Sequence, residues 1–113
     1  MIILDKTISI EELKVIADEL FGDMVKAVAD IRNGQVAIDA ELHSDLERFL
    51  LENGSNQEDL WGFNIYPEME GDDFIEFDSL INIRPRQNNR SRYVESEEIR
   101  DRITGLVCKF IGR

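Results

Sequence analysis

MVKAVADIRNGQVAIDA, residues 24–40, is the stretch that decides the fold class. Val25, Ala27, Ala29 and Ile31 alternate with Lys26, Val28 and Asp30, the two-residue period of a strand. Small residues fall on one face. Asn33-Gly34 then predicts a two-residue hairpin turn, because both residue types tolerate the positive φ that such a turn needs. Val36, Ile38 and Ala40 supply the returning strand.

Outward from this hairpin the pattern changes to helical spacing. Upstream, Ile2 to Leu4 is a short β-prone start. Ser9-x-x-Glu12 is a capping box, followed by Ile10, Leu13, Ile16, Ala17 and Leu20 on one face and closed by Gly22. Downstream, Ser44-x-x-Glu47 predicts a second capping box, with Leu46, Phe49 and Leu50 behind it and Gly54 as the stop. LWGFNIY, residues 60–66, places Trp61, Phe63 and Ile65 on one strand face. FIEFDSLINIR, residues 74–84, reads as one strand. It has Ile75, Phe77, Ile81 and Ile83 on one face, Glu76, Asp78, Asn82 and Arg84 on the other, and Pro85 as its end. Ser96 with Glu97 and Glu98 opens a last helix, whose stripe is Ile99, Ile103, Leu106, Val107 and Phe110. Gly105 within that helix suggests a close approach to the sheet.

The order is β-α-β-β-α-β-β-α. Two hairpins and three one-faced helices predict a single α+β domain over residues 1–113. The expected architecture is two-layer, a mostly antiparallel sheet of about five strands with the helices on its inner face.

Composition agrees. With 42% hydrophobic and 33% charged residues, the 113-residue chain can bury a core. Its apolar runs are too short to span a membrane. MIILDKTISIEELK lacks a basic segment and a long apolar stretch, so it reads as a first strand rather than a secretion signal. Cys108 is the single cysteine, which excludes an internal disulfide and suits a reducing, cytoplasmic setting. A net charge of −11 repels nucleic acid and anionic lipid at long range.

Against that charge, INIRPRQNNRSRY at residues 81–93 is anomalous. It carries Arg84, Arg86, Arg90 and Arg92 and no acid. Arginine presents a planar fork of donors suited to carboxylates and phosphates, and Asn82, Gln87, Asn88, Asn89 and Ser91 add neutral donors. The segment is therefore the candidate ligand site: Asn82, Arg84, Asn88, Arg90, Ser91 and Arg92, for an anionic small molecule or an acidic protein surface. The plainer expectation weighs more, that these arginines pair with the chain's own acids or stay solvated. His43, the only histidine, lies among Asp39, Glu41, Asp45 and Glu47. His43 and Glu41 are the candidate acid–base groups. No ligand spacing supports a metal, and no phosphate loop or dinucleotide fingerprint suggests a cofactor. The PEMEGDD loop, residues 67–73, lacks calcium-loop spacing and reads as a solvated connection.

FGDMVKAVADI, ELHSDLERFLLENGS, LWGFNIYP and FIEFDSLINIRPRQNNRSR together resemble a family of small bacterial single-domain proteins catalogued as a domain of unknown function. The resemblance implies one bacterial domain and supplies no catalytic residues. The polar positions within it are Glu41, His43, Asn64, Asn82, Arg84, Asn88, Arg90 and Ser91. One arrangement of them would set His43 facing Arg84. Three functional classes remain, ranked in order. The first is a non-enzymatic binding module that uses the arginine segment. The second is a small enzyme on a phosphorylated or carboxylated substrate, with Arg84 and Arg90 clamping an oxyanion. The third is a homo-oligomer in which the basic segment docks on an acidic patch of a second copy.

Overall fold

The computed structural model describes residues 1–112. Along the chain come β1 (Ile2–Ile3), β2 (Ile8–Ser9), α1 (Ile10–Leu20), β3 (Val25–Asp30), β4 (Gln35–Ile38), α2 (His43–Glu52), β5 (Leu60–Ile65), β6 (Ile75–Glu76), α3 (Glu97–Phe110) and β7 (Ile111–Gly112). Five strands form one antiparallel sheet in the order β1-β4-β3-β5-β6, and β2 and β7 make a small parallel pair. The α+β class, the antiparallel sheet and the three helices are as the sequence predicts. The short β2–β7 pair was not expected from it.

Strand alternation sorts the side chains of the sheet onto two faces. Val25, Ala27, Ala29, Val36, Ile38, Trp61, Phe63 and Ile65 lie on one, packed with Leu13 and Ala17 of α1 and Ile103, Val107 and Phe110 of α3. Val28, Ala37 and Leu60 lie on the other, packed with Leu46 and Leu50 of α2. The sheet is therefore covered on both sides, two helices against one face and the third against the opposite one, rather than under a single helical layer. Each fully buried Leu or Ile stabilises by roughly 1.5–3 kcal/mol relative to exposure.

Local differences have local causes. The 24–40 hairpin forms, but Asp30 pairs with Gln35, so its loop spans residues 31–34 instead of two residues. The Asp30 carboxylate takes over the turn. It accepts the amides of Arg32 at 3.0 Å and Asn33 at 2.9 Å, and the Ser55 hydroxyl at 2.6 Å. Burial pushes this carboxyl up, but the Ser55, Asn33 and Arg32 hydrogen bonds together outweigh it and hold it below its ordinary value. The Ser9–Glu12 capping box is present. The Ser44–Glu47 box is not. Leu42 caps α2 without a side-chain hydrogen bond, and the helix already begins at His43. Gly105 faces solvent, and a Cβ there would meet nothing within 4 Å, so no close helix–sheet contact requires it.

The largest correction concerns residues 74–84. Only Ile75 and Glu76 pair as strand, opposite Ile65 and Asn64. The chain then arches through a 3-10 turn at Leu80–Asn82 and another at Pro85–Gln87. The expected faces are scrambled accordingly. Asn82 is fully buried while Ile83 is 42% exposed.

Candidate functional site

The arginine segment is a braced structure built on the edge of β5. Where β6 ends, the Asn82 carboxamide replaces a neighbouring backbone. Its Oδ1 accepts from the Gly62 amide at 2.8 Å and its Nδ2 donates to the Gly62 carbonyl at 2.9 Å, continuing the ladder with a side chain. This requires close approach. A Cβ at residue 62 would lie 2.6 Å from the Ser79 Cβ and 3.1 Å from Ile81 Cγ1. Glycine at 62 is therefore a condition of the fold rather than a flexible spot.

Asn89 braces the next loop. Its Nδ2 donates to the carbonyls of Asn82 and Tyr93, both at 2.8 Å, and its Oδ1 accepts the Glu95 amide at 2.9 Å. Glu95 closes the loop. Its Oε2 accepts the Ser91 hydroxyl and amide, each at 2.9 Å, and the Arg90 amide at 2.8 Å. The Ser91 hydroxyl and these amides hold the Glu95 carboxyl below its ordinary value. Asn88 takes the left-handed conformation, φ 60°, that ends the second 3-10 turn.

The four arginines have different surroundings. Arg84 lies 4.1 Å above the Trp61 ring and donates to the carbonyls of Gln57 and Leu60. Burial lowers its pKa, opposed by Glu47 and Asp59. Gln87 continues the same edge, donating to the Glu58 carbonyl at 2.9 Å. Arg92 forks onto Asp78 at 2.6 and 3.2 Å. Arg86 and Arg90 are exposed. Within the expected ligand set, Asn82 and Arg84 are thus engaged with the backbone and Arg92 with an acid. Ser91 is bonded to Glu95, and the side chains of Asn88 and Arg90 are exposed.

His43 belongs to a second polar group on the α2 face. Its ring is 8% exposed, and its Nε2 donates to the Phe63 carbonyl at 2.8 Å. Burial lowers its pKa, against the pull of the Phe63 carbonyl; Lys26 lowers it further, while Asn64 and Asp78 act in the other direction. Beneath it, Lys26, Asn64 and Glu76 are cross-strand neighbours on β3, β5 and β6. Asn64 Nδ2 donates to Glu76 Oε1 at 2.8 Å, and the Tyr66 hydroxyl donates to the same oxygen at 3.0 Å. Burial, reinforced by Glu76, pushes the Tyr66 phenol up to about 12. Glu41 is exposed at the loop before α2. His43 and Arg84 bond different carbonyls along β5. His43 enters with α2 and holds the carbonyl of residue 63, while Arg84 holds that of residue 60 and stacks on Trp61, whose ring packs on the α1–α3 side.

Sequence reasoning missed the bracing roles of Asn89 and Glu95. Asn89 counted only as one donor among several. The available signal was an asparagine in a turn-rich segment, a residue type that bonds nearby backbone. Among the described residues no group of three or more His, Cys, Asp or Glu side chains could hold a metal ion.

A small α+β domain with a side-chain-braced basic loop on one sheet edge is what the fold and this region define. The chain belongs to the DUF5674 family, proteins of unknown function, whose profile matches residues 2–110. No curated protein and no solved structure matches it.

Proposed function

We propose that this domain is a non-enzymatic binding module whose residue 80–93 segment docks onto an acidic protein surface. One observation carries the reading. On the same braced segment as the exposed Arg86 and Arg90, Leu80 is 66% and Ile83 42% exposed. The backbone that carries these groups is braced by internal hydrogen bonds and so loses little freedom on binding, and arginine is enriched at interfaces. A small anion would use the guanidinium groups but not the apolar pair. The enzyme reading has less support, because the His43 ring is buried and its Nε2 is already bonded. We place the module in a bacterial cytoplasm, supported by the family resemblance and by a single cysteine, Cys108, with no second thiol to pair with.

The test uses fluorescence anisotropy with a labelled amphipathic peptide of glutamate and leucine, and its lysine counterpart as control. Binding of the acidic peptide is expected, weakened about tenfold or more by Arg86→Glu/Arg90→Glu and by Leu80→Ser/Ile83→Ser. Equal binding of both peptides, or no effect of either double variant, overturns the reading. So would thermal shifts with inorganic phosphate or a dicarboxylate in the absence of peptide binding, which would make the loop a small-anion site.

A further inference from the structure

Beside the basic loop lies an open groove of about 730 Å³ between β6 and α3. Its wall carries Asp72, Asp73, Glu76 and Asp78, and its apolar lining includes the rings of Phe77 and Tyr93. The rings meet edge to face, 6.3 Å apart at 88°. Carboxylates beside aromatic faces are guanidinium-binding chemistry, since arginine forks onto the first and stacks on the second. The chain already uses this chemistry on itself. Arg92 forks onto Asp78, and Arg100 lies 4.8 Å above the Tyr93 ring. Asp72 and Asp73 are exposed in the same wall, and no salt bridge joins either to a described residue.

From this geometry we infer that the occupant of the groove is the basic loop of a second copy of this chain, in a two-fold dimer. The inference rests on the docking role of the 80–93 segment and names its partner. Charge complementarity supports it. The chain is strongly acidic, and Arg86 and Arg90 are exposed guanidinium groups within the acid-free stretch, matching the carboxylates of Asp72 and Asp73. Proximity supports a closed pair over an open chain. Arg90 is two residues from Arg92, which itself bonds to Asp78 in the groove wall, so loop and groove adjoin on one surface. A two-fold axis next to such a surface makes each contact twice, loop into groove and groove onto loop. Leu80 and Tyr93, 66% and 49% exposed, supply apolar area between the two contacts.

The experiment is sedimentation velocity over a concentration series, at low and high salt, on the full chain. Wild type should dimerise, with a dissociation constant that weakens about tenfold or more on moving from low to high salt. Arg86→Glu/Arg90→Glu and Asp72→Arg/Asp73→Arg should each be monomeric alone. An equimolar mixture of the two variants should dimerise about as well as wild type, because the swapped charges match at both contacts. That recovery also shows that both variants fold. A monomeric wild type, variants that still dimerise, or a mixture that stays monomeric each overturns the inference. If wild type is monomeric yet binds the acidic peptide through Arg86 and Arg90, the dimer fails and the docking module stands. If it also ignores the peptide, both fail.

Discussion

The two edges of β5 are held in different ways. On the β3 side, residues 60–65 pair rung by rung with residues 25–30, an unbroken backbone ladder. On the other side β6 pairs over only two residues, and beyond it the work passes to named side chains: Asn82 on Gly62, Arg84 on Leu60 and Trp61, Gln87 on Glu58. A backbone ladder tolerates many sequences, because any residue except proline can take part in it. An edge built from side chains depends on each of them. The first edge forms a platform, and the second a surface whose shape can be specific.

That contrast can be broken most sharply at Asn82. Asn82→Ala leaves the buried Gly62 amide and carbonyl without partners, and should cost about 3 kcal/mol in urea unfolding. A loss below about 1 kcal/mol would mean that the edge does not depend on this carboxamide. Gly62→Ala comes next, at about 2 kcal/mol, because its Cβ would collide with Ser79. Ser79→Gly in the same chain should recover part of that loss, and a double-mutant cycle with no coupling would refute the contact. A smaller effect is a pH dependence from His43. Its folded pKa lies below the unfolded value near 6.5, so the unfolded chain takes up the proton first. Its contribution is fully present above pH 6.5 and declines as pH falls through the folded pKa. His43→Gln should flatten the melting profile in that window, leaving the steeper loss below about pH 4.5 that belongs to carboxyls such as Glu95. The smallest effect is expected at Arg92→Gln, which removes an exposed ion pair and should leave the urea midpoint almost unchanged; a clear drop would mean that the fork onto Asp78 holds the loop.

The same contrast explains what the sequence makes legible. Periodic features are readable: the pairing of the 24–40 hairpin though not its two-residue turn, the α1 and α3 stripes, and the Ser9 and Ser96 caps match the structure. Each follows from a repeat of two or 3.6 residues, or from a local cap signal. The segment 74–84 alternates as well as any strand does, yet it arches. What overrides the pattern is a distant residue, Gly62, which leaves room for Ser79 and offers backbone groups to Asn82. No local window contains that information. The arginine segment was visible as a charge anomaly, but its division into engaged Arg84 and Arg92 and exposed Arg86 and Arg90 depends on what the rest of the chain puts beside them. The α2 start was misplaced for a similar reason. The helix begins at His43, whose ring bonds a carbonyl twenty residues away, and no Ser44–Glu47 box caps it.

The β2–β7 pair has a consequence for how the molecule is made. Ile8 lies beside Ile111, and the Thr7 hydroxyl donates to the Lys109 carbonyl at 3.0 Å. Residues 8 and 9 therefore stay without this neighbour until residues 111 and 112, far later in the chain, have been made. Until then the α1 end of the domain lacks its parallel neighbour, although the central hairpin, α1 and α2 are already available to fold. The pair is a contact of high sequence separation, the kind whose loop-closure entropy must be met before it stabilises anything.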